Sequence, residues 1–169
     1  MSFTPTSPAA EMAVYLRNMI ANSSTFITTI GVATYVEAKG FIDILESFPT
    51  DEEFGDYLRP RALVLIPHAD YRVARPGFPV GNIQFELAID TPRQQDGSLC
   101  IPSDILIYVT NFFDGVARDI SQLGAPTCGA PVNDALLRMD AIRLVDTFRR
   151  QRDTASSDFW RARYEVSVL

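Results

Sequence analysis

Between Asn82 and Asp90 the chain alternates without a break, placing Ile83, Phe85, Leu87 and Ile89 on one side and polar or small residues on the other. A helix would scatter these four side chains around its axis, so the stretch reads as a strand with one buried face. Such a strand is not stable by itself. It needs neighbouring strands and a layer of apolar side chains to cover its buried face.

Candidate neighbours are visible elsewhere. Ala62 to Ile66 is a continuous apolar run stopped by Pro67, and near the C-terminus Trp160, Ala162, Tyr164, Val166 and Val168 alternate in the same way. Ile142, Leu144 and Phe148 lie along the segment before it, which makes the last thirty residues a hairpin. The residues from Pro67 to Gly81 hold three prolines and two glycines, which suits an extended loop between antiparallel strands.

Helical spacing supplies the covering layer. Ser7 precedes Pro8 as cap and first helical residue, and Met12, Tyr15, Leu16, Met19 and Ile20 follow at three- and four-residue intervals, predicting a helix over Pro8 to Ala21. A second long helix is predicted from Ser103 as cap, with Asp104 at its positive end and Ile105, Val109, Phe112, Val116, Ile120 and Leu123 as its stripe. Gly124 ends it, and Asn133 starts a further short turn.

The segment from Thr25 to Tyr57 is ambiguous. It is apolar and β-branched up to Phe48, interrupted by Gly31 and Gly40, and Phe41 to Phe48 reads equally as a strand or a short helix. Thr50 with Glu53 forms a capping box, predicting a short helix from Asp51 to Leu58 that Pro60 stops.

The resulting order is helix, ambiguous segment, strand, strand, helix, strand, strand. That is an α+β domain whose mostly antiparallel sheet packs against two main helices. No linker composition divides the 169 residues, so one domain is expected, with residues 1–7 as a flexible N-terminal tail. Eleven Phe, six Tyr and one Trp in a chain that is 47% hydrophobic are enough to fill its core.

Charge narrows the partners. The net charge of −6 argues against gripping nucleic acid with the whole surface. The charges are unevenly placed: residues 1–137 carry 8 basic and 16 acidic groups, residues 138–169 carry 7 and 5. Arg143, Arg149, Arg150, Arg152, Arg161 and Arg163 thus decorate the terminal hairpin beside an acidic body. One copy can dock such arginines against the carboxylates of the next, and head-to-tail docking makes rings when it closes. The alternative is a solvated hairpin face whose arginines shield apolar surface with their stems.

Signatures of chemistry are weak. His68 is the only histidine, with Asp70 near it as a potential orienting group and Cys128 as a potential nucleophile, but no nucleophile motif surrounds them. Cys100 and Cys128 match no zinc spacing. The acidic run Asp51, Glu52, Glu53 and Asp56 lacks the pattern of a calcium loop and reads as the first turn of a helix. Phosphate-loop and dinucleotide patterns are missing, so no catalytic, metal or cofactor residue is assigned and no cofactor is expected. No secretory signal or membrane-length apolar run is present, which points to the cytoplasm or an assembly built there.

The order of elements, together with the Arg-bearing end Phe159-Trp160-Arg161-Ala162-Arg163-Tyr164-Glu165-Val166, resembles the tail terminator and head-to-tail completion (neck) proteins of tailed phages. Pro60 to Ile66, Asn82 to Asp90, Ser103 to Leu123 and Ile142 to Val168 carry the resemblance. It implies a non-enzymatic virion protein whose small subunits form a ring, commonly a hexamer, that caps the tail tube and meets the head connector. Its partners would be other copies of itself, the tail tube protein and neck proteins. Genomic DNA would only pass through the lumen, where the acidic body repels phosphate. The resemblance also assigns docking to Pro67–Gly81 and to the Arg149–Asp158 turn. The rival expectation is a small cytoplasmic enzyme or ligand-binding domain using His68 or a thiol.

Overall fold

The computed structural model describes residues 8–55, 57–66, 71–75, 78–123, 139–150 and 158–168. Helix α1 (Pro8–Ala21) forms where the spacing predicts it and buries Met12, Tyr15, Leu16, Met19 and Ile20. Helix α2 (Ser24–Ile30) follows at once because Ser23 caps it, accepting from the Phe26 N–H at 3.2 Å. Gly31, at φ 76°, takes the left-handed conformation that ends it.

The ambiguous segment resolves into several short elements. Helix α3 (Tyr35–Ala38) is set by a capping box between Thr34 and Glu37. A 3-10 turn (Lys39–Phe41) then leads into strand β1 (Ile42–Leu45). Helix α4 (Asp51–Phe54) is held by the predicted Thr50–Glu53 capping box, but it is shorter than the Asp51–Leu58 expected.

Strand β2 (Arg61–Leu65) takes in the predicted run Ala62–Ile66 up to Leu65, and strand β4 (Phe78–Asp90) contains all of Asn82–Asp90. Between them the expectation of an extended loop fails. Strand β3 (Tyr71–Arg75) pairs antiparallel with Phe78–Gly81, with a register shift between Val73 and Arg75. Helix α5 (Pro102–Leu123) starts with Pro102 in its first turn, so Ser103 lies inside the helix and is not its cap. Strands β5 (Met139–Arg150) and β6 (Phe159–Val168) are the predicted hairpin. The expected N-terminal tail, Gly124 and Asn133 lie outside the described residues.

The fold is α+β with a six-stranded mixed sheet in the order β1-β2-β4-β6-β5, β3 pairing β4 off this path. Only β1 and β2 run parallel, because α4 and the loops beside it carry the chain from one strand to the start of the next. On one face Ile83, Phe85, Leu87, Ile89, Ala162, Tyr164 and Val166 meet α1, α2 and the α5 stripe in the main core. Phe85 and Tyr164, cross-strand partners, stack with centroids 5.1 Å apart.

The opposite face is not left to solvent. Phe54, Leu63, Ala88 and Phe159 form a second buried cluster there, with Leu45, Phe48 and Tyr57 packed around it. The segment between β1 and β2 therefore lies as a strap over the outer face of the sheet.

Candidate functional site

The hairpin arginines lie largely on this outer face, and most of them are engaged within the chain. Arg161 donates through Nε to Glu86, and its Nη1 reaches Asp51 Oδ1 and Nη2 the Pro49 carbonyl, at 3.0 and 2.9 Å. Arg163 holds the other Glu86 oxygen from Nη2 and Nε at 2.9 and 3.2 Å. Arg161 also covers the rings of Phe54 and Phe148, and Arg163 that of Phe48. Arg150 donates to the Asp51 carbonyl oxygen. These contacts fasten the strap to the sheet.

Asp158 organises a second cluster at the start of β6. Arg149 grips it with two bonds of 3.0 Å, the Thr91 hydroxyl donates at 2.6 Å, and Arg93 stands 3.7 Å away. Burial pushes this carboxyl up, but the bonds from Arg149 and Thr91 and the charges of Arg149 and Arg93 hold it below the usual aspartate range. Arg149 also lies over Trp160.

Arg143 differs from these. Its side chain is 71% exposed and pairs with Glu165 at 2.8 Å on the hairpin surface. Of the six arginines expected at subunit contacts, Arg149, Arg150, Arg161 and Arg163 thus bind groups of their own chain, Arg143 stands at the surface, and Arg152 lies outside the described residues.

His68, Asp70, Asp56 and Cys128 also lie outside the described residues. Cys100 is a half-buried free thiol. Asp51, Glu52 and Glu53 form the first turn of α4, with Glu53 accepting from the Thr50 N–H at 2.8 Å. Among the described residues no three His, Cys, Asp or Glu side chains gather as a metal set, and no helix is long and apolar enough to cross a membrane.

The sequence reading missed a cleft of about 220 Å³ between α5 and the β5–β6 hairpin. Leu106, Val109 and Phe113 form one wall and Leu144, Trp160 and Tyr164 the other, with Asp114 beside them. Trp160 Nε1 and the Tyr164 hydroxyl are buried, and neither has a hydrogen-bond partner among the described residues. Burial and the Asp114 carboxylate both push the Tyr164 phenol up, so it stays a protonated donor.

Of the cleft walls Leu106 and Leu144 are exposed, and Ile107 and Tyr108 on α5 and Val145 on β5, next to them in the chain, are exposed as well. A signal was available. Leu106, Ile107 and Tyr108 fall off the α5 core stripe, and a helix apolar on more than one face implies a second surface to cover.

Tyr35 and Val36 are exposed on α3, which packs against α1 and α2 and precedes β1 in the chain. Strands β1 and β5 are the two ends of the sheet path, so each has one side without a partner among the described strands. A scan of protein-family models finds no match to the chain, and a search of curated proteins returns none.

Proposed function

We propose that the chain is a structural subunit of a tailed-phage particle, a tail terminator or neck protein without enzymatic activity that assembles into a ring of about six copies. In this reading the ring caps the tail tube, meets the head connector, and lets DNA slide through an acidic lumen. One observation carries it: among the described residues both ends of the sheet path lack a partner strand, and exposed large apolar side chains stand beside each in the chain, Tyr35 and Val36 before β1 and Leu144 and Val145 on β5. Open edges with apolar flanks are surfaces that self-association covers.

The rival enzyme reading rests on His68 and Cys128, outside the described residues, and no specific observation favours it. Negative-stain imaging of concentrated protein tests the proposal. Annular particles with a central opening support it, and a field of isolated small particles at every concentration and salt overturns it.

A further inference from the structure

The two open ends of the sheet are not alike, and their differences fit one another. Strand β1 runs parallel to β2, β2 antiparallel to β4, β4 to β6, and β6 to β5. Strands β1 and β5 therefore point in opposite directions. A second copy, turned about an axis along the strands, brings its β1 beside the first copy's β5 as an antiparallel neighbour, with both helix layers on the same side.

That placement brings two unlike features together. The cleft between α5 and β5 lies in the helix layer at the β5 end, because Leu144, Trp160 and Tyr164 face α5. Helix α3 lies in the helix layer against α1 and α2, joined to β1 by the 3-10 turn, and Ala38 enters the main core while Tyr35 and Val36 stay outside, Val36 62% exposed. One end is an apolar cleft with two donors that have no partner among the described residues, the other an apolar surface carrying a phenol oxygen.

Charge favours the same pairing. The β1 end presents Glu37, Asp43 and Glu46 against Lys39 and Arg61, the latter 3.3 Å from Asp43. At the β5 end Arg149 and Arg150 are engaged by Asp158 and the Asp51 carbonyl, and Arg143, 71% exposed beside Glu165, is the solvent-facing cation. Asp43 of one end and Arg143 of the other lie on the same face of the sheet, the one opposite Ile44 and Tyr164, where the pairing brings them together.

We infer that the α5–β5 cleft is the docking site for a second copy of this chain, which inserts Tyr35 and Val36 of its helix α3 head-to-tail. This rests on the self-assembling reading and adds which surfaces meet. The Tyr35 hydroxyl supplies an acceptor for the Trp160 or Tyr164 donor, and Asp43 of the incoming copy, on the face of the sheet away from the helices, faces Arg143. Because the two surfaces differ, the contact propagates and closes only as a ring.

The test uses two exposed positions in the full-length chain, Val36→Asp on α3 and Leu144→Asp in the cleft, with circular dichroism to show that both variants are folded. Absolute mass is measured for wild type, each variant and their equimolar mixture. The expected result is a large oligomer for wild type, monomers for each variant, and a dimer for the mixture, since one intact cleft then meets one intact α3 surface. A Val36→Asp variant that keeps the wild-type mass overturns the inference while leaving self-assembly standing. If in addition Leu144→Asp alone is monomeric, the contact is a two-fold pairing of β5 edges instead. A wild-type chain that is monomeric throughout overturns the inference and the assembly reading together.

Discussion

Arg161 and Glu86 meet inside the protein as a buried ion pair, their side chains 4% and 1% exposed, on diagonally placed positions of β6 and β4. Glu86 is shared with Arg163, and Arg161 with Asp51, so the pair is the centre of a network that joins two strands to the strap over them. Removing one partner of such a pair strands the other charge without solvent.

Glu86→Ala is therefore expected to lower stability by about 3–5 kcal/mol, and Glu86→Gln by less, because the amide oxygen still accepts from one arginine. Urea unfolding of the variants checks this. A loss below about 1 kcal/mol for Glu86→Ala would show that the network contributes little.

Asp119 on α5 caps α2 from outside the helix: one carboxylate oxygen accepts from the Thr25 N–H at 2.9 Å, the Ser23 hydroxyl at 2.7 Å and the Ser24 hydroxyl at 3.3 Å. Burial pushes its carboxyl up, but these bonds hold it below the usual range. A carboxyl depressed in the folded state contributes stability above its unfolded value, and that contribution is lost as pH falls through the folded value. Melting temperature should fall on acidification below about pH 4, and Asp119→Asn should flatten that slope while lowering stability near neutrality by about 1 kcal/mol. An unchanged acid slope in the variant would contradict the assignment.

Gly115 lets α5 approach α2 closely. A Cβ there would stand 2.7 Å from Thr25 Cγ2 and 2.9 Å from its Oγ1. Alanine is the better helix former by about 1 kcal/mol, yet Gly115→Ala should destabilise by about 1–3 kcal/mol because the clash outweighs it. Pairing it with Thr25→Ala should recover most of the loss, and a double-mutant cycle by chemical denaturation reads the coupling.

The Tyr164 hydroxyl is buried without a hydrogen-bond partner among the described residues. Tyr164→Phe should leave the stability of the free subunit unchanged or raise it by up to about 1 kcal/mol, since no hydrogen bond is lost. A drop of more than about 1 kcal/mol would show that the hydroxyl is already satisfied.

What the sequence disclosed follows from how far each signal reaches. Helix α1, helix α5, strand β4 and the terminal hairpin carry their own periodicity, and their positions were legible. Strand β1 and helix α3 are four residues each and are fixed by what they pack on and by the Thr34–Glu37 box. Strand β3 was hidden because prolines and glycines around it read as a loop.

The arginines were legible as a group, but their partners were not. Glu86 occupies a position where alternation implies solvent, and it is buried only because the strap covers that face. Alternation reports one buried face and cannot announce a second one closed by a distant loop. The α5–β5 cleft likewise depends on how a helix crosses a hairpin, which no local pattern records.

The central claim is that this chain assembles with itself, and absolute mass by light scattering, at low and high salt, tests it most directly. The account predicts a discrete species of about six times the 18.8 kDa chain mass, with salt weakening the charged rim contacts first. A strict monomer under all of these conditions would contradict it.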